Sequence, residues 1–163
     1  MPSPATTAGG FEQLDEIFHP RGIAVVGVSA TAGGFGGNMF LQALHKQGFA
    51  GGIYAVNPRA TEIDGLPCYK SVREIDPPVD AALVMTQPKF SGQVARECVE
   101  AGVKRVWLYK AAGDGAVSDE AVKICQENGV DFVPGRCPFM FLPNPGVHAL
   151  HGVFLKLFGM YPK

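Results

Sequence analysis

Short apolar runs alternate with amphipathic stretches along most of the chain. Apolar residues are nearly continuous within each run, which is typical of parallel strands covered on both faces. The runs lie at residues 23–28, 53–56, 81–85, 103–109 and 130–133, and a shorter extended piece is predicted at 66–69. Between the runs, apolar residues recur at helical spacing. This alternation predicts right-handed crossovers and a three-layer α/β fold, with a doubly wound, Rossmann-like parallel sheet of five or six strands.

Capping residues and prolines mark the ends of the predicted helices. Residues 71–74, SVRE, form a capping box that predicts a short helix. Pro88 suits the first position of the next helix, and Ser118 is predicted to cap a third one that ends at residues 128–129. The apolar stripe of the helix after Pro88 consists of Phe90, Val94, Cys98 and Ala101.

One domain accounts for most of the chain, because 163 residues are about the length of a single domain. We expect a flexible tail at residues 1–10, the domain at 11–145, beginning with a helix at 11–18, and a C-terminal helix at 146–163. This last helix is apolar on more than one side, so it is predicted to pack on the domain or on the second copy of a homodimer. Its apolar residues are Val147, Leu150, Phe154, Leu155, Leu157 and Phe158.

The composition is that of a compact α/β protein, since 47% of the residues are hydrophobic and 18% are charged. The net charge of −1 gives no general attraction for nucleic acid or anionic membranes, so an anionic ligand would have to be held locally. The N-terminal segment lacks the apolar core of a signal peptide, and no apolar run approaches the length of a membrane span. We therefore expect a cytoplasmic protein without nucleic acid or membrane partners.

The four cysteines are scattered, without a C-x-x-C pair or zinc-ligand spacing, and this usage fits a reducing cytoplasm. Cys98 and Cys125 fall at apolar positions of predicted helices and are expected to pack in the core. Cys137 lies in a predicted loop, where it is either a packing residue or a reactive thiol. His148 and His151 share one side of the C-terminal helix, but without a third ligand nearby no metal site is predicted.

The most informative stretch is IAVVGVSATAGGFGGN, residues 23–38, in which a buried strand runs into a glycine-rich loop that opens a helix. Its glycines allow tight turns and a close approach to a ligand. The amides of residues 33–38 and the positive end of the helix would point at one place, which suits a phosphate group. Ser29 could add a hydroxyl donor. We interpret the loop as the site of a phosphate-bearing cofactor.

Three further polar stretches are predicted to meet this loop, because ligands of open parallel sheets bind outside the carboxyl ends of the strands. They are Asn57-Pro58-Arg59 after the second strand, Thr86-Gln87-Pro88 after the third, and Lys110 after the fourth. Arg59 and Lys110 would bring positive charge close to the phosphate.

A nicotinamide dinucleotide is the main competing ligand. Its fingerprint needs G-x-G-x-x-G and an acidic residue after the second strand. Ser29 stands at the position of the second glycine, and Arg59 rather than an acid follows the second strand. NAD is therefore disfavoured while Arg59 leaves NADP open. A small NAD(P)-dependent oxidoreductase, or another nucleotide-dependent enzyme, is the alternative function.

Three segments carry a family resemblance: FHPRGIAVVGVSA, GFAGGIYAVNPRATEIDGLPCYKSVREI and VDAALVMTQP. They resemble the coenzyme A-binding domain of ADP-forming acyl-CoA synthetases. That domain also begins the α subunit of succinyl-CoA synthetase and occurs as small free-standing proteins. The resemblance covers residues 18–145. The segment GRCPFMFLPNP is similar to the one that closes the domain, although Gly-Arg-Cys replaces the usual Pro-Asn-Cys.

The resemblance implies coenzyme A or an acyl-CoA as the cofactor. The loop would meet the phosphates, the Asn57 turn would lie along the nucleotide, and the Thr86 turn would line the other side of the crevice. The candidate cofactor-binding residues are Gly27, Ser29, Ala30, Gly34, Phe35, Gly36, Asn38, Asn57, Pro58, Arg59, Thr86, Gln87, Pro88 and Lys110. In the large enzymes the phosphorylated histidine lies on a following domain, and this chain is expected to end before it. We therefore predict binding without catalytic residues, with a separate synthetase subunit as a candidate partner.

Overall fold

The computed structural model describes residues 21–29, 37–46, 48–110 and 115–136. Within these ranges the chain forms seven strands, three α-helices and one 3-10 turn. The strands are β1 (Gly22–Val26), β2 (Gly52–Val56), β3 (Glu62–Ile63), β4 (Leu66–Tyr69), β5 (Ala81–Val84), β6 (Arg105–Tyr109) and β7 (Asp131–Arg136). The helices are α1 (Gly37–Lys46), α2 (Pro88–Glu100) and α3 (Asp119–Glu127), and the 3-10 turn is Val72–Glu74.

The strands form one sheet in the order β3-β4-β2-β1-β5-β6-β7. β1 pairs in parallel with β2 on one side and with β5 on the other, so the direction of winding reverses at β1. The other pairings among the described strands are parallel too, except that of β3 with β4. The predicted Rossmann-like α/β fold is confirmed. The carboxyl ends of β1 and β5 form the switch point at which ligands of such sheets bind.

The described part of the sheet has seven strands, more than the five or six predicted. The extended piece predicted at residues 66–69 is β4, and the missed strand is β3. β3 consists of Glu62 and Ile63 alone, so it is too short to show an alternating pattern. It joins β4 through Asp64 and Gly65, whose φ angles are 52° and 79°. Positive φ at both central residues is what a type I′ hairpin turn requires.

Two apolar clusters, one on each face of the sheet, hold the helices. Alternate residues of β1 serve both, with Ala24 and Val26 in one cluster and Ile23 and Val25 in the other. The helices add Val94, Ala95, Cys98, Ala121 and Cys125 to the first cluster, and Phe40, Leu41 and Leu44 to the second. The layers are therefore helix, sheet and helix, as predicted. Both cysteines of the first cluster are fully buried, also as predicted.

The core-facing side of α2 differs from the predicted stripe. Val94 and Cys98 are buried as expected, whereas Phe90 is 51% exposed. The buried side of the helix begins instead with Ser91 and continues through Ala95. Because each helical residue turns the side chain by about 100°, Phe90 falls at the edge of the buried side rather than within it.

The predicted caps are confirmed with one modification. Pro88 is the first residue of α2, as predicted, and Ser118 is the residue that caps α3. The predicted short helix is a single 3-10 turn that the Ser71 side chain caps. The Glu74 carboxylate accepts a hydrogen bond from Lys70 N at 3.2 Å, one residue earlier than in a regular capping box.

Several predictions lie outside the described residues and stay predictions. They concern the tail at 1–10, the helix at 11–18, the C-terminal helix at 146–163, Cys137 and the histidine pair His148 and His151. Of the helices that the structure describes, none is long and apolar enough to cross a membrane.

Candidate functional site

The backbone of Gly27 is the point at which the turns after β1, β2 and β5 converge. Its φ of 98° lies in the left-handed region, and its N–H donates to Val56 O at 3.2 Å. A Cβ at this position would lie 2.6 Å from Met85 O, so any side chain would collide with the main chain of the turn after β5. The missing side chain therefore lets the ends of β1 and β5 close together at the switch point.

Asn38, in the first turn of α1, holds the start of the glycine-rich loop. Its Oδ1 accepts a hydrogen bond from Ser29 N at 2.7 Å, and its Nδ2 donates to Ser29 O at 2.9 Å. Gly37 packs against the preceding turn, since a Cβ there would lie 2.9 Å from Gly27 O. The first N–H groups of a helix have no intrahelical partner. The amino end of α1 is thus fixed beside Ser29, where its main-chain donors suit an anion.

Asn57 ties the turn after β2 to the same loop. Its Nδ2 donates to Val28 O at 2.6 Å, and its Oδ1 accepts from Arg59 N at 2.8 Å. This second contact shapes the exposed turn formed by Pro58 and Arg59. No carboxylate of the described residues lies within ion-pair distance of the Arg59 guanidinium. The turn therefore offers a positive charge beside the loop.

The turn after β5 is braced by a buried serine. The hydroxyls of Thr86 and Ser91 lie 3.2 Å apart, and Ser91 Oγ also donates to Gln87 O at 3.4 Å. Ser91 is fully buried, whereas Thr86 is half-buried and Gln87 is exposed. Pro88 then begins α2. Ser91 is a supporting residue that sequence reasoning missed, although a small polar residue on an apolar helix face could have indicated it.

Lys110 is placed farther away than the other described candidates. It follows β6, which is two strands from β1, so their backbones are about 10 Å apart at the usual spacing of strands. Its side chain is exposed, and a Cβ at Gly135 would lie 3.6 Å from Lys110 Cδ. The structure therefore brings together the turns after β1, β2 and β5, and leaves Lys110 at their margin. Four further candidates lie outside the described residues: Ala30, Gly34, Phe35 and Gly36.

Asp64, which sequence reasoning missed, is a carboxylate beyond the second strand. Its Oδ2 accepts hydrogen bonds from Gln42 Nε2 at 3.1 Å and from Asn38 Nδ2 at 3.5 Å. The signal that could have found it is the Asp-Gly pair between apolar residues, which is typical of a hairpin turn. Asp64 does not match the acid of a dinucleotide site, because it lies at a hairpin tip and contacts side chains of α1. The hairpin and α1 also border an open cavity of about 290 Å³.

The thiols of the described residues are poorly suited to act as nucleophiles. Burial raises the pKa of Cys68 and of Cys98, and it raises the pKa of Cys125 to about 11. Each thiol therefore stays protonated near neutral pH, and the reactive form is the thiolate. Nor do the histidines, cysteines and acids in the described ranges form a group that could hold a metal ion. The crevice between the turns after β1, β2 and β5 is therefore lined by main-chain amides, hydroxyl groups and the Arg59 cation.

This architecture is that of a doubly wound α/β domain with the amino end of a helix at the switch point of its sheet. The family whose sequence model matches is the CoA binding domain, over residues 21–143. The chain belongs to this family, so the predicted resemblance is confirmed.

The similar proteins include chains that are much longer than this one and a chain of comparable length. The α subunit of ADP-forming acetate–CoA ligase II from Pyrococcus furiosus is 37% identical over 131 residues, which cover 76% of this chain and 28% of that subunit. The solved structure of acetyl-coenzyme A synthetase 1 from Ca. Korarchaeum cryptofilum is 30% identical, with a TM-score of 0.66 over 75% of this chain and 27% of that one. The solved structure of a conserved hypothetical protein from Pyrococcus furiosus is 41% identical, with a TM-score of 0.62 over 72% of this chain and 95% of that one. The chain thus spans less than a third of the named ligase and synthetase chains.

Proposed function

We propose that this chain binds coenzyme A or an acyl-CoA at the carboxyl ends of β1, β2 and β5. The observation that carries the proposal is the pair of hydrogen bonds between Asn38 and Ser29, which fixes the amino end of α1 beside the loop. A helix amino end of this kind suits a diphosphate group. Membership of the CoA-binding family supports coenzyme A over other phosphate-bearing cofactors.

Each turn of the crevice would hold a different part of the cofactor. The phosphates would lie at the loop between β1 and α1, with main-chain donors supplied by the residues around Ser29 and Asn38. The nucleotide would extend along the Asn57 turn, where Arg59 supplies a positive charge. Thr86, Gln87 and Pro88 would form the opposite wall. Lys110, two strands away, would reach only a part of the cofactor that extends beyond this wall.

We further propose that this chain binds the cofactor without catalysis of its own. The described groups of the crevice are main-chain amides, hydroxyls and the Arg59 cation, which suit an anionic ligand. One relative is named as the α subunit of an ADP-forming ligase. A separate synthetase subunit is therefore the partner that we propose, and the homodimer stays a prediction from the C-terminal residues.

The cysteines support a cytoplasmic location for this binding. Cys68, Cys98 and Cys125 are free thiols in the structure. Proteins of reducing compartments keep their thiols in this state. We propose the cytoplasm as the location on that ground.

Titration calorimetry and thermal unfolding with coenzyme A, acetyl-CoA and NADPH test the proposal. Coenzyme A and acetyl-CoA should bind and should raise Tm more than NADPH does at equal concentration. Ser29→Asp should weaken binding because a carboxylate beside the phosphates repels them. Ser29→Ala is the matched comparison: it removes the hydroxyl donor but adds no charge, so it should weaken binding less than Ser29→Asp does. Absence of binding heat at millimolar coenzyme A, or greater stabilisation by NADPH, would overturn the proposal.

A further inference from the structure

Phe90 is the most exposed of the large apolar side chains that the structure describes, at 51%. It lies in the first turn of α2, and its N–H donates to Gln87 O at 3.0 Å. Because α2 begins at the carboxyl end of β5, the ring stands at the edge of the sheet where the cofactor would bind. Lys89 Nζ lies 4.9 Å from the centre of the ring, in the range of a cation–π contact.

Contacts of α2 show which way this residue faces. Glu97 follows Phe90 by about two helical turns and so lies on the same side of the helix. Glu97 Oε2 accepts from Ser71 Oγ at 2.6 Å, and Ser71 follows β4, which pairs with β2. A different side of α2 meets α3, where Arg96 Nη1 donates to Glu120 Oε1 at 2.6 Å. Phe90 therefore lies on the flank of α2 that faces β1 and β2 rather than β6 and β7.

This flank faces the part of the crevice that suits a nucleoside. In doubly wound sheets the ribose of a bound nucleotide lies near the end of the second strand, beyond the phosphate site. Here the exposed turn that carries Arg59 follows β2, and α2, with Phe90 in its first turn, follows β5 on the other side of β1. An aromatic side chain offers a stacking surface to any base, and a neighbouring cation adds to the attraction.

We propose that Phe90 is the platform on which the adenine ring of the bound cofactor stacks, with Lys89 as the cation that orders the phenyl ring. This inference rests on the proposed function, because it requires a cofactor that carries a purine. It makes Phe90 the residue that distinguishes coenzyme A from ligands that have the pantetheine arm without the nucleoside.

The test compares three ligands by calorimetry on the wild-type chain and on two variants, Phe90→Leu and Phe90→Tyr. The ligands are coenzyme A, 3′-dephospho-CoA and 4′-phosphopantetheine, of which the last has no purine. Phe90→Leu should weaken the first two by about tenfold and leave the third unchanged. Phe90→Tyr keeps a ring at the same place and should bind all three like the wild type. Since Phe90 is exposed, both variants should keep the Tm of the unliganded wild type.

Three results would contradict the inference. Equal affinity of the wild type and Phe90→Leu for coenzyme A would show that the ring contacts no part of the cofactor. An equal loss for 4′-phosphopantetheine would show damage to the whole site rather than a lost stack. If the wild-type chain bound none of the ligands, the proposed function itself would fail, and the inference with it.

Discussion

The side-chain amide of Asn38 pairs with both main-chain groups of Ser29, so the first turn of α1 is joined to the chain that leaves β1. The same Nδ2 lies 3.5 Å from Oδ2 of Asp64, which also accepts from Gln42 Nε2. A carboxylate can only accept hydrogen bonds, so Asp64 favours the amide orientation that leaves Oδ1 for Ser29 N. The hairpin between β3 and β4 thus contacts α1 through Asp64 and helps to hold Asn38 in place beside Ser29.

Asn38→Asp should therefore destabilise the chain and weaken cofactor binding together. The new carboxylate cannot donate to Ser29 O, and it places a second negative charge beside Asp64. We expect the free energy of unfolding to fall by about 1–3 kcal/mol, measured by urea titration, because the partly buried Ser29 O loses the hydrogen bond from Asn38 Nδ2. Gln42→Glu is the matched control, since it also adds charge beside Asp64 but does not touch Ser29. It should leave affinity for coenzyme A unchanged, and an equal loss of affinity in both variants would argue against a special role for Asn38.

Gly27→Ala should be far more damaging than the same change at Gly48. Both residues have positive φ, 98° and 69°, so each substitution carries a backbone cost of about 1–2 kcal/mol. At Gly48 a Cβ would meet no atom within 4 Å, whereas at Gly27 it would lie 2.6 Å from Met85 O. We expect a soluble, mildly destabilised Gly48→Ala variant and a Gly27→Ala variant that unfolds at much lower urea or fails to fold. Similar urea midpoints for the two variants would show that β1 and β5 do not need this close approach.

The positions of the main crevice residues could be predicted from sequence, because they depend on local pattern. Gly27, Asn57 and Thr86 each follow an apolar run, and parallel pairing brings the ends of such runs to one edge. Lys110 was predicted by the same reasoning. The distance of Lys110 from β1 depends on the order of the strands in the sheet. That order is a tertiary property that a local sequence pattern does not predict.

What escaped prediction depends on contacts between distant elements. Asp64 lies near the candidate site because the short hairpin that carries it contacts α1. Ser91 supports the site because its hydroxyl contacts Thr86 and Gln87 in the turn after β5. The main-chain amide of Asn38 was predicted near the phosphate, whereas the contacts of its side-chain amide with Ser29 were not predicted. The exposure of Phe90 depends on which side of α2 the sheet covers. The spacing of apolar residues in the helix did not decide between the side that includes Phe90 and the neighbouring side that begins with Ser91.

The Asp80 carboxylate holds the amino end of β1, at the edge of the sheet opposite the candidate site. Its carboxylate accepts from Gly22 N at 3.1 Å and from Arg21 N at 3.3 Å. Burial acts to raise the pKa of Asp80, but these hydrogen bonds outweigh it and hold the pKa below its ordinary value. Because the folded pKa is the lower one, the stabilisation is present above the unfolded pKa of about 3.9 and is lost as the pH falls through the folded pKa.

Asp80→Asn should accordingly cost about 1–3 kcal/mol of unfolding free energy at pH 7, since an amide oxygen accepts more weakly than a carboxylate. The difference from the wild type should shrink as the pH falls through the folded pKa of the wild-type carboxyl. Urea titrations at pH 7 and at a series of acidic pH values measure it. Glu62→Gln, at an exposed position of β3, is the control and should show no such difference at pH 7. A gap between Asp80→Asn and the wild type that did not shrink at acidic pH would contradict the role assigned to the charge.

Cys98 and Cys125 should not react with thiol reagents until the chain unfolds. Burial raises the pKa of both, in the case of Cys125 to about 11, so neither forms a thiolate at pH 8. An aromatic disulfide reagent should therefore modify these two residues only in urea. Of the two alternatives for Cys137, a reactive thiol would react at once in the native chain, and a packing residue would not. Cys137→Ser is then the control that removes the fast phase.

The same two thiols should make the chain less stable in alkali. Their pKa values are higher in the folded state, so the stabilisation is complete below the unfolded pKa of about 8.5 and declines as the pH rises towards the folded values. The urea midpoint should therefore fall between pH 8 and pH 10. Cys98→Ala, which leaves a small cavity but no thiol at that position, should start from a lower midpoint and show a shallower decline. A fast native reaction of either buried thiol, or identical pH slopes for the variant and the wild type, would show that these sulfurs are accessible to solvent.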